Sequence, residues 1–264
     1  MKEEEAYSIL DIISESDGQS VILTRSGSIC IPFELRQPEC YSLSPEDIDE
    51  RDGMYREAFR HMPDGAYVHK QDVFLKKEYH PGKGTGSFLD RADARHFEGR
   101  LYIDHTCILH FVLAGLKSLE KAYVSSPLAY KEHLHREDYR KLEAFLEGVD
   151  NAVSILQNMR GNSVLPMSCE GISGFTRAYS GLFGDTDAVV DIHVDGSLHV
   201  GKNHARCYAV CDETFLPEGN IESYVRDESL PPAASQLYHP LMEQLGMYLP
   251  YNHIVNQVIY FEGN

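Results

Sequence analysis

Histidine and cysteine side chains are the groups in this sequence best suited to metal binding. The chain has 13 histidines and six cysteines among 264 residues. Four of these lie close together in sequence: His199, His204, Cys207 and Cys211. Structural zinc takes four tetrahedral ligands. We predict a strand over residues 207–211, which places its two cysteines ~13 Å apart, too far to chelate one ion. A second pair, His133 and His135, has no evident third ligand, so we predict no bound metal.

Covalent hydrolysis is a second kind of chemistry, and it needs a nucleophile beside a base. Cys169 with one of the histidines would satisfy that need, but only folded geometry shows such a pair. Residues 171–174 begin like a nucleophile elbow, yet GxSxG requires glycine where Phe175 stands. Asp104 and His105 are neighbours, and neighbouring residues of a strand point to opposite faces. We predict no catalytic residue, with a hydrolase or metal-binding enzyme that uses His and Cys as the alternative.

Two glycine-rich stretches invite comparison with phosphate-binding loops. Gly196–Lys202 fits the first seven positions of GxxxxGK[ST], but Asn203 stands where the magnesium-binding hydroxyl is required. Asp195-Gly196 is also a typical hairpin turn, and no helix is predicted after Lys202. Gly82–Ser87 precedes a helix N-terminus, which can bind anions, but it matches neither phosphate-loop pattern and is interpreted as a mobile surface loop. We predict no nucleotide site and no cofactor.

Charge and hydropathy limit the classes of partner. The net charge of −17 argues against direct binding of nucleic acid, because phosphate contacts use clustered Lys and Arg. The acidic N-terminus, MKEEEAY, lacks the features of a signal peptide. The longest apolar run, Cys107–Leu116, is too short to span a bilayer. The dispersed cysteines are typical of free buried thiols. We expect a cytoplasmic protein that is peripheral to the inner membrane only through its partners.

The hydrophobic patterns predict an α+β fold with a mainly antiparallel sheet. Strands are predicted at Ser20–Thr24, Ser28–Leu35, Ala66–Phe74, Leu101–Leu113, Ala188–Val194, Ser197–Val200, Cys207–Cys211 and Ile254–Phe261. Helices are predicted at Glu3–Ile13, Pro45–Met62, Ser87–Glu98, Arg136–Met159, Ser173–Leu182 and Ala233–Leu245. The recurring hairpins favour this architecture over a doubly wound parallel fold.

Two helix signals are the clearest. Ser87 and Asp90 form a capping box. The helix Arg136–Met159 carries an apolar stripe opposite its charges, which we interpret as core packing. The stripe consists of Tyr139, Leu142, Leu146, Val149, Val153 and Leu156. A weak boundary near Gly161 would divide the chain into two α+β subdomains.

Several short segments follow one another in a familiar order. They are the hairpin Val21–Leu35, His69–Asp72, His96-Phe97, Arg100–His105, Cys207–Asp212, Leu216-Pro217 and Leu249–Gln257. In this order and number they resemble the N-terminal region of TraG-type ATPases from Bacteroidetes conjugative transposons, which are relatives of type IV secretion ATPases. The resemblance implies an α+β module that precedes a RecA-like motor.

The resemblance also limits what this chain can do. A complete ATPase of this type needs Walker A and Walker B motifs, and this chain has no credible P-loop. We therefore expect residues 1–264 to be the non-motor module alone, without enzymatic activity. Its implied role is assembly or coupling during conjugative DNA transfer, through secretion-channel proteins at the inner membrane or through homo-oligomers. The polar residues between 69 and 105 are then structural hydrogen-bond or ion-pair partners: His69, Asp72, His96, Arg100, Asp104 and His105.

Overall fold

A computed structural model gives the fold of the chain. It describes residues 9–14, 18–38, 45–81, 87–116, 136–184, 192–194, 198–200, 203–209, 224–226, 236–238 and 251–261. The large sheet contains β1 (Ile9–Ser14), β2 (Ser20–Thr24), β3 (Ile29–Arg36), β4 (Ala66–Glu78), β5 (Leu101–Leu113), β6 (Ser163–Pro166) and β12 (His253–Tyr260). The helices are α1 (Pro45–Phe59), α2 (Phe88–Phe97), α3 (Arg136–Asn158) and α4 (Cys169–Ser180). The architecture is α+β.

Seven strands form the large sheet, in the order β1-β2-β3-β5-β4-β12, with β6 also paired to β3. Every pairing in it is antiparallel. The turn between β2 and β3 depends on Gly27, whose φ of +78° favours glycine. The short β1–β2 and β2–β3 connections reverse the chain, which explains the antiparallel pairing of these strands.

The β4–β5 hairpin is the centre of the sheet and extends beyond it. Its 13-residue strands pair from Ala66–Leu113 to Glu78–Leu101. The inner part is flanked by β3 and β12, whereas residues 75–78 and 101–104 pair only with each other within the described part of the chain. This outer part forms a two-stranded arm, and α2 lies at its end.

Two helices cover one face of the sheet and build the main core. In the inner part of β5, the alternate residues Leu109, Phe111 and Leu113 are fully buried there. Phe145 of α3 belongs to the same cluster, as does Phe59 of α1. We call this side of the sheet the core face.

Helix α3 has six buried residues among its 23. Of its predicted core stripe, Val149 and Leu156 are buried and Leu142 and Val153 pack against the core, but Tyr139 and Leu146 are exposed. The core-packing prediction was therefore wrong for these two residues, because the buried side of the helix is centred on Phe145, Val149 and Ala152.

The opposite face is covered in part by α4. Ile172 of α4 packs with Ile22, Cys30 and Val112 in a second, smaller buried cluster. The Ser168 side chain caps α4 by accepting a hydrogen bond from Gly171 N at 3.1 Å. The part of this opposite face on β4 and β12 carries polar side chains.

Two small antiparallel sheets complete the described structure. One contains β7 (Ile192–Val194), β8 (Leu198–Val200) and β9 (Asn203–Ala205). The other pairs β10 (Tyr224–Arg226) with β11 (Gln236–Tyr238). Both consist of strands of three residues, so they are local features beside the large sheet.

Most predicted elements are confirmed. The predicted strand Leu101–Leu113 is β5, and Arg136–Met159 is α3 to within one residue. The capping box of α2 is present in both directions, Ser87 to Asp90 and back. The helix predicted at Ser173–Leu182 begins earlier, at Cys169, because Ser168 supplies its N-cap.

Three predicted elements were wrong. Residues 9–13 of the predicted helix Glu3–Ile13 belong to β1, because pairing with β2 outweighs the acidic start that suggested a helix. The predicted helix Ala233–Leu245 contains the strand β11, which pairs with β10. Residues 206–209 have no regular structure, so the strand predicted at Cys207–Cys211 is absent over its described part. In each case tertiary pairing, or its lack, overrode the local pattern.

Two further observations concern the organisation of the chain. The strands β6 and β12 follow the predicted boundary near Gly161, and they pair with β3 and β4, which precede it. Among the described helices, none has the length and apolar character needed to cross a membrane.

Candidate functional site

A buried carboxylate lies near the middle of β4, on the core face. The Asp72 side chain is only 2% exposed, and its two oxygens have different partners. One oxygen, Oδ2, accepts from Lys70 Nζ. The other, Oδ1, lies 2.9 Å from Nε2 of His105 on β5. An ionised carboxylate only accepts, so Nε2 of His105 carries the hydrogen. We call these three residues the Asp72 cluster.

The surroundings of Asp72 favour its ionised form. Burial alone would raise the pKa of Asp72, but hydrogen bonds from His105 and Lys70 and their charges outweigh it, so the pKa lies below its usual value. Cys107 is directly opposite Asp72 in register, and burial raises the pKa of its thiol to about 12. The ionised acid forms its ion pair with Lys70, and the neutral thiol of Cys107 is not an activated nucleophile.

The imidazole of His105 is also held by an aromatic stack. It lies on Phe74 with ring centroids 4.4 Å apart and planes at 8°. The ring of His253 on β12 stacks on the same phenyl group, at 4.6 Å and 13°. Nε2 of His253 is buried and has no hydrogen-bond partner among the described residues. The stack joins three neighbouring strands and orients His105 towards Asp72.

A second polar row crosses the opposite face of the same strands. It consists of Cys30, His110, His69, Asn256 and Gln71. The rings of His69 and His110 stack with centroids 5.2 Å apart. Oδ1 of Asn256 accepts from Gln71 Nε2 and lies equally close, 2.9 Å, to Nε2 of His69. This network ties β5, β4 and the edge strand β12 together.

The Cys30–His110 contact is the nearest approach to a nucleophile–base pair. The thiol sulfur lies 3.7 Å from Nδ1 of His110. Burial raises the pKa of Cys30 to about 12, and burial with the charge of His69 lowers the pKa of His110 to about 4. Both shifts favour the neutral thiol and neutral imidazole at pH 7. A cysteine nucleophile requires the opposite, a thiolate stabilised by a cationic neighbour.

Several exposed apolar side chains lie at the end of the two-stranded arm. Helix α2 has no buried residue. Its two large apolar side chains at the start, Phe88 and Leu89, are 76% and 70% exposed. Four more exposed apolar or aromatic residues lie at the last residue of α2 and at the outer ends of the two strands: Tyr79, Phe97, Leu101 and Tyr102. We call these six residues the tip surface.

Contacts within the tip surface fix its geometry. Tyr79 N donates to Arg100 O at 2.9 Å, and Gly99 N donates to Tyr79 O at 3.0 Å, so the hairpin pairing continues beyond the strand ends. The ring of Phe97 is 6.4 Å from that of Tyr79, and the Arg100 guanidinium lies 5.5 Å above Phe97. Phe97 therefore faces the hairpin. Phe88, half a turn away round α2, points outward.

The predicted glycine sites differ in how far the structure describes them. Residues 82–86 lie outside the described residues, so the expected surface loop remains a prediction. Residues 198–200 and 203–205 are the strands β8 and β9. A P-loop requires a loop followed by a helix at these positions, whereas the structure has two paired strands there.

The other predicted residues are scattered. Asp104 pairs with Lys77, while its neighbour His105 binds Asp72 on the other face, as the strand geometry predicts. Cys169 is half-buried at the start of α4, and Cys207 is exposed. His133, His135 and Cys211 lie outside the described residues. No group of three His, Cys, Asp or Glu side chains that could hold a metal occurs in the described part of the chain.

Comparison with known proteins assigns no family. No protein-family model matches the chain, and a search of characterised proteins finds no significant match.

The tip surface was not anticipated from the sequence. One signal was available: α2 has only two strongly apolar residues at its start and one at its end, without the spacing of a core-facing stripe. A helix of that kind, joined to strands on both sides, is a candidate for an exposed position.

Proposed function

We propose that this chain is a non-catalytic assembly module that binds another protein through the tip surface. The observation that carries the proposal is the exposure of six apolar and aromatic side chains on and around α2. Single exposed apolar residues are normal, whereas a group of six at one end of the arm is the kind of surface that serves as an interaction site. Tyrosine, phenylalanine and arginine are also the residue types enriched at protein interfaces.

The local charge favours an acidic partner. Residues 76–102 contain six Lys and Arg but four Asp and Glu, in a chain whose net charge is −17. Arg91 and Arg95 of α2 have no ion-pair partner among the described residues. A partner with an apolar pocket and an acidic rim would complement both properties of the tip surface.

The sequence resemblance suggests which assembly this is. We propose coupling of a conjugative, type IV secretion-like ATPase to channel proteins at the inner membrane. The segments His69–Asp72 and Arg100–His105, which are part of the resemblance, lie on β4 and β5 and at the end of the arm. In this proposal the Asp72 cluster stiffens the hairpin, and the arm presents α2 to the partner.

The test uses a double variant, Phe88→Asp with Leu89→Asp. It is expected to abolish binding to purified conjugation-channel proteins and to lower conjugative transfer from donor cells. The matched control is Tyr251→Asp, which changes a residue 77% exposed outside the tip surface. Circular dichroism and urea unfolding should show that both variants fold. Unchanged binding by the double variant would contradict the tip assignment, and steady ATP turnover by the purified chain would contradict the non-catalytic role.

A further inference from the structure

The strand β12 forms one edge of the large sheet. It pairs with β4 over its whole length, from His253–Phe74 to Tyr260–Tyr67, and none of the other described strands lies beside it. Main-chain N–H and C=O groups on the outer side of an edge strand lack ladder partners and can pair with another chain. The outer side of β12 is therefore a surface to which one further strand can be added.

The hydrogen-bond pattern shows which residues direct their main-chain groups outward. Phe261 N donates to Ala66 O, and Phe261 O accepts from Gly65 N, both at 3.2 Å, so the main-chain groups of Phe261 face β4. In an antiparallel pair, successive residues alternate between the two sides of a strand. Odd-numbered residues of β12 therefore face β4, and four even-numbered ones face away from the sheet: Ile254, Asn256, Val258 and Tyr260.

The two edges of the sheet differ in the features that prevent unwanted pairing. Proteins protect edge strands with charged residues, proline, bulges or short length. The other edge strand, β1, has six residues, a charged side chain at Asp11 and an irregular register between Ile9 and Asp11. The eight residues of β12, HIVNQVIY, include no charge and no proline, and the register with β4 is uninterrupted. This contrast favours β12 as the edge that pairs with another chain.

Side chains near the end of β12 are exposed on both faces of the sheet. Val258 and Ile259 are 44% and 47% exposed, and Tyr260 is 69% exposed. Successive residues of a strand point to opposite faces, so neither face of this segment is fully covered. Burial of these side chains against an added strand would favour pairing through the hydrophobic effect.

We propose that β12 pairs antiparallel with β12 of a second copy of this chain, so that the two large sheets become continuous across a twofold axis. Charge favours this occupant. Each copy has a net charge of −17, so two copies repel one another, whereas an uncharged edge brings no like charges directly opposite each other. A twofold contact also needs only one self-complementary surface and closes after two copies. The surface is separate from the tip surface and does not depend on its assignment.

One register uses every outward-facing residue of the strand. A twofold axis at Gln257 places Ile254 of one copy opposite Tyr260 of the other. The same register places Asn256 opposite Val258. Each of the four resulting pairs makes two main-chain hydrogen bonds, about eight in total. The two Gln257 residues then form a non-hydrogen-bonded pair, with Cα atoms about 4.5 Å apart.

The first experiment measures the oligomeric state of the full chain by sedimentation velocity over a range of concentrations. The unaltered chain should dimerise. Val258→Pro removes an outward N–H that β4 does not use, and Val258→Lys keeps the N–H but places like charges near the axis, so both variants should sediment as monomers. The controls are Val258→Thr and Ile13→Lys, the latter at a residue of β1 that is 50% exposed; both should remain dimers.

The outcomes of this experiment are decisive because the variants differ in how they act. A monomeric unaltered chain, or unchanged dimer affinity in Val258→Pro or Val258→Lys, would overturn the proposal. Circular dichroism and urea unfolding show whether each variant folds. If Val258→Pro does not fold, Val258→Lys decides the outcome, since it retains every main-chain donor.

Salt distinguishes this dimer from association through the tip surface. Added NaCl screens the repulsion between two acidic copies, so it should strengthen pairing through β12, whereas contact of the basic tip with an acidic surface would weaken. The double variant Phe88→Asp with Leu89→Asp should remain a dimer. Weakening by salt, or loss of the dimer in the double variant, would contradict pairing through β12.

A disulfide tests the register. Gln257→Cys should form an intermolecular disulfide on mild oxidation, because a Cα separation of about 4.5 Å lies within the range that disulfides bridge. Ile13→Cys on β1 is the matched control and should form no cross-link at position 13. Peptide mapping by mass spectrometry identifies the linked positions. Absence of a link at position 257 under conditions where the chain is dimeric would overturn the proposed pairing.

Discussion

The imidazole of His105 hydrogen-bonds the carboxylate of Asp72 across the β4–β5 pair, with 2.9 Å between Nε2 and Oδ1. The carboxylate is almost fully buried, and Lys70 is its only other described ion-pair partner. A buried charge is costly without partners. The central hairpin therefore depends on these two neighbours to keep Asp72 ionised inside the sheet.

Removal of one partner should expose that dependence. We predict that Lys70→Met destabilises the chain by about 1–3 kcal/mol, because it leaves a buried acceptor with one donor fewer. The matched control is Lys77→Met, which breaks the exposed Lys77–Asp104 pair on the same strand and should cost below about 1 kcal/mol. Urea unfolding measures both. Equal losses would show that Asp72 does not require Lys70.

The stability of the chain should depend on pH through His110. Its pKa is lowered to about 4 in the folded state from 6.5, so the unfolded state binds more protons between these values. The contribution of His110 to stability is therefore constant above pH 6.5 and falls as the pH decreases towards 4, by on the order of 3 kcal/mol at most. Urea unfolding at several pH values should show this slope, and His110→Phe should reduce it. If His110→Phe leaves the slope unchanged, another titratable group causes the pH dependence.

Asp72 acts in a different pH window. Its folded pKa is depressed below 3.8, so its contribution is fully present above that value. It is lost as the pH falls further through the folded pKa. The Asp72→Asn variant should therefore be less stable than the unaltered chain at neutral pH. Below pH 3.8 it should lose less additional stability than the unaltered chain. The slope between pH 4 and 6.5 should remain, because it comes from His110.

Local signals explain which parts of the fold were predictable. The strand β5 is apolar and rich in β-branched residues, and the capping box at Ser87 and Asp90 determines where α2 starts, so both follow from sequence alone. The strand β1 was mistaken for a helix because only its pairing with β2 defines it. Long-range pairing of β4 with β5 also brings His105 next to Asp72, and spacing along the chain gives no indication of it. The candidate surfaces depend on such register and on exposure, which local patterns do not determine.

Gly161 should be less tolerant of a side chain than other glycines. Its φ is +81°, and a Cβ would lie 2.9 Å from Pro38 Cβ. We predict that Gly161→Ala destabilises by about 1–2 kcal/mol from backbone strain alone. Gly53→Ala is the matched control, because Gly53 lies in α1 with open space around it and should gain up to about 1 kcal/mol of helix propensity. A neutral Gly161→Ala would show that the turn after α3 adapts.

Cysteine reactivity provides a direct test of the non-catalytic role. Cys30 and Cys107 are buried, with thiol pKa values raised to about 12, while Cys207 is exposed. Iodoacetamide at pH 8 should therefore modify Cys207 in the folded chain and reach Cys30 and Cys107 only after denaturation, because the thiolate is the reactive species. Peptide mapping by mass spectrometry follows each site, with fully denatured protein as the control for complete labelling. Rapid labelling of Cys30 in the folded state would indicate an activated thiolate beside His110, and would favour a hydrolase that uses these two residues over an assembly module.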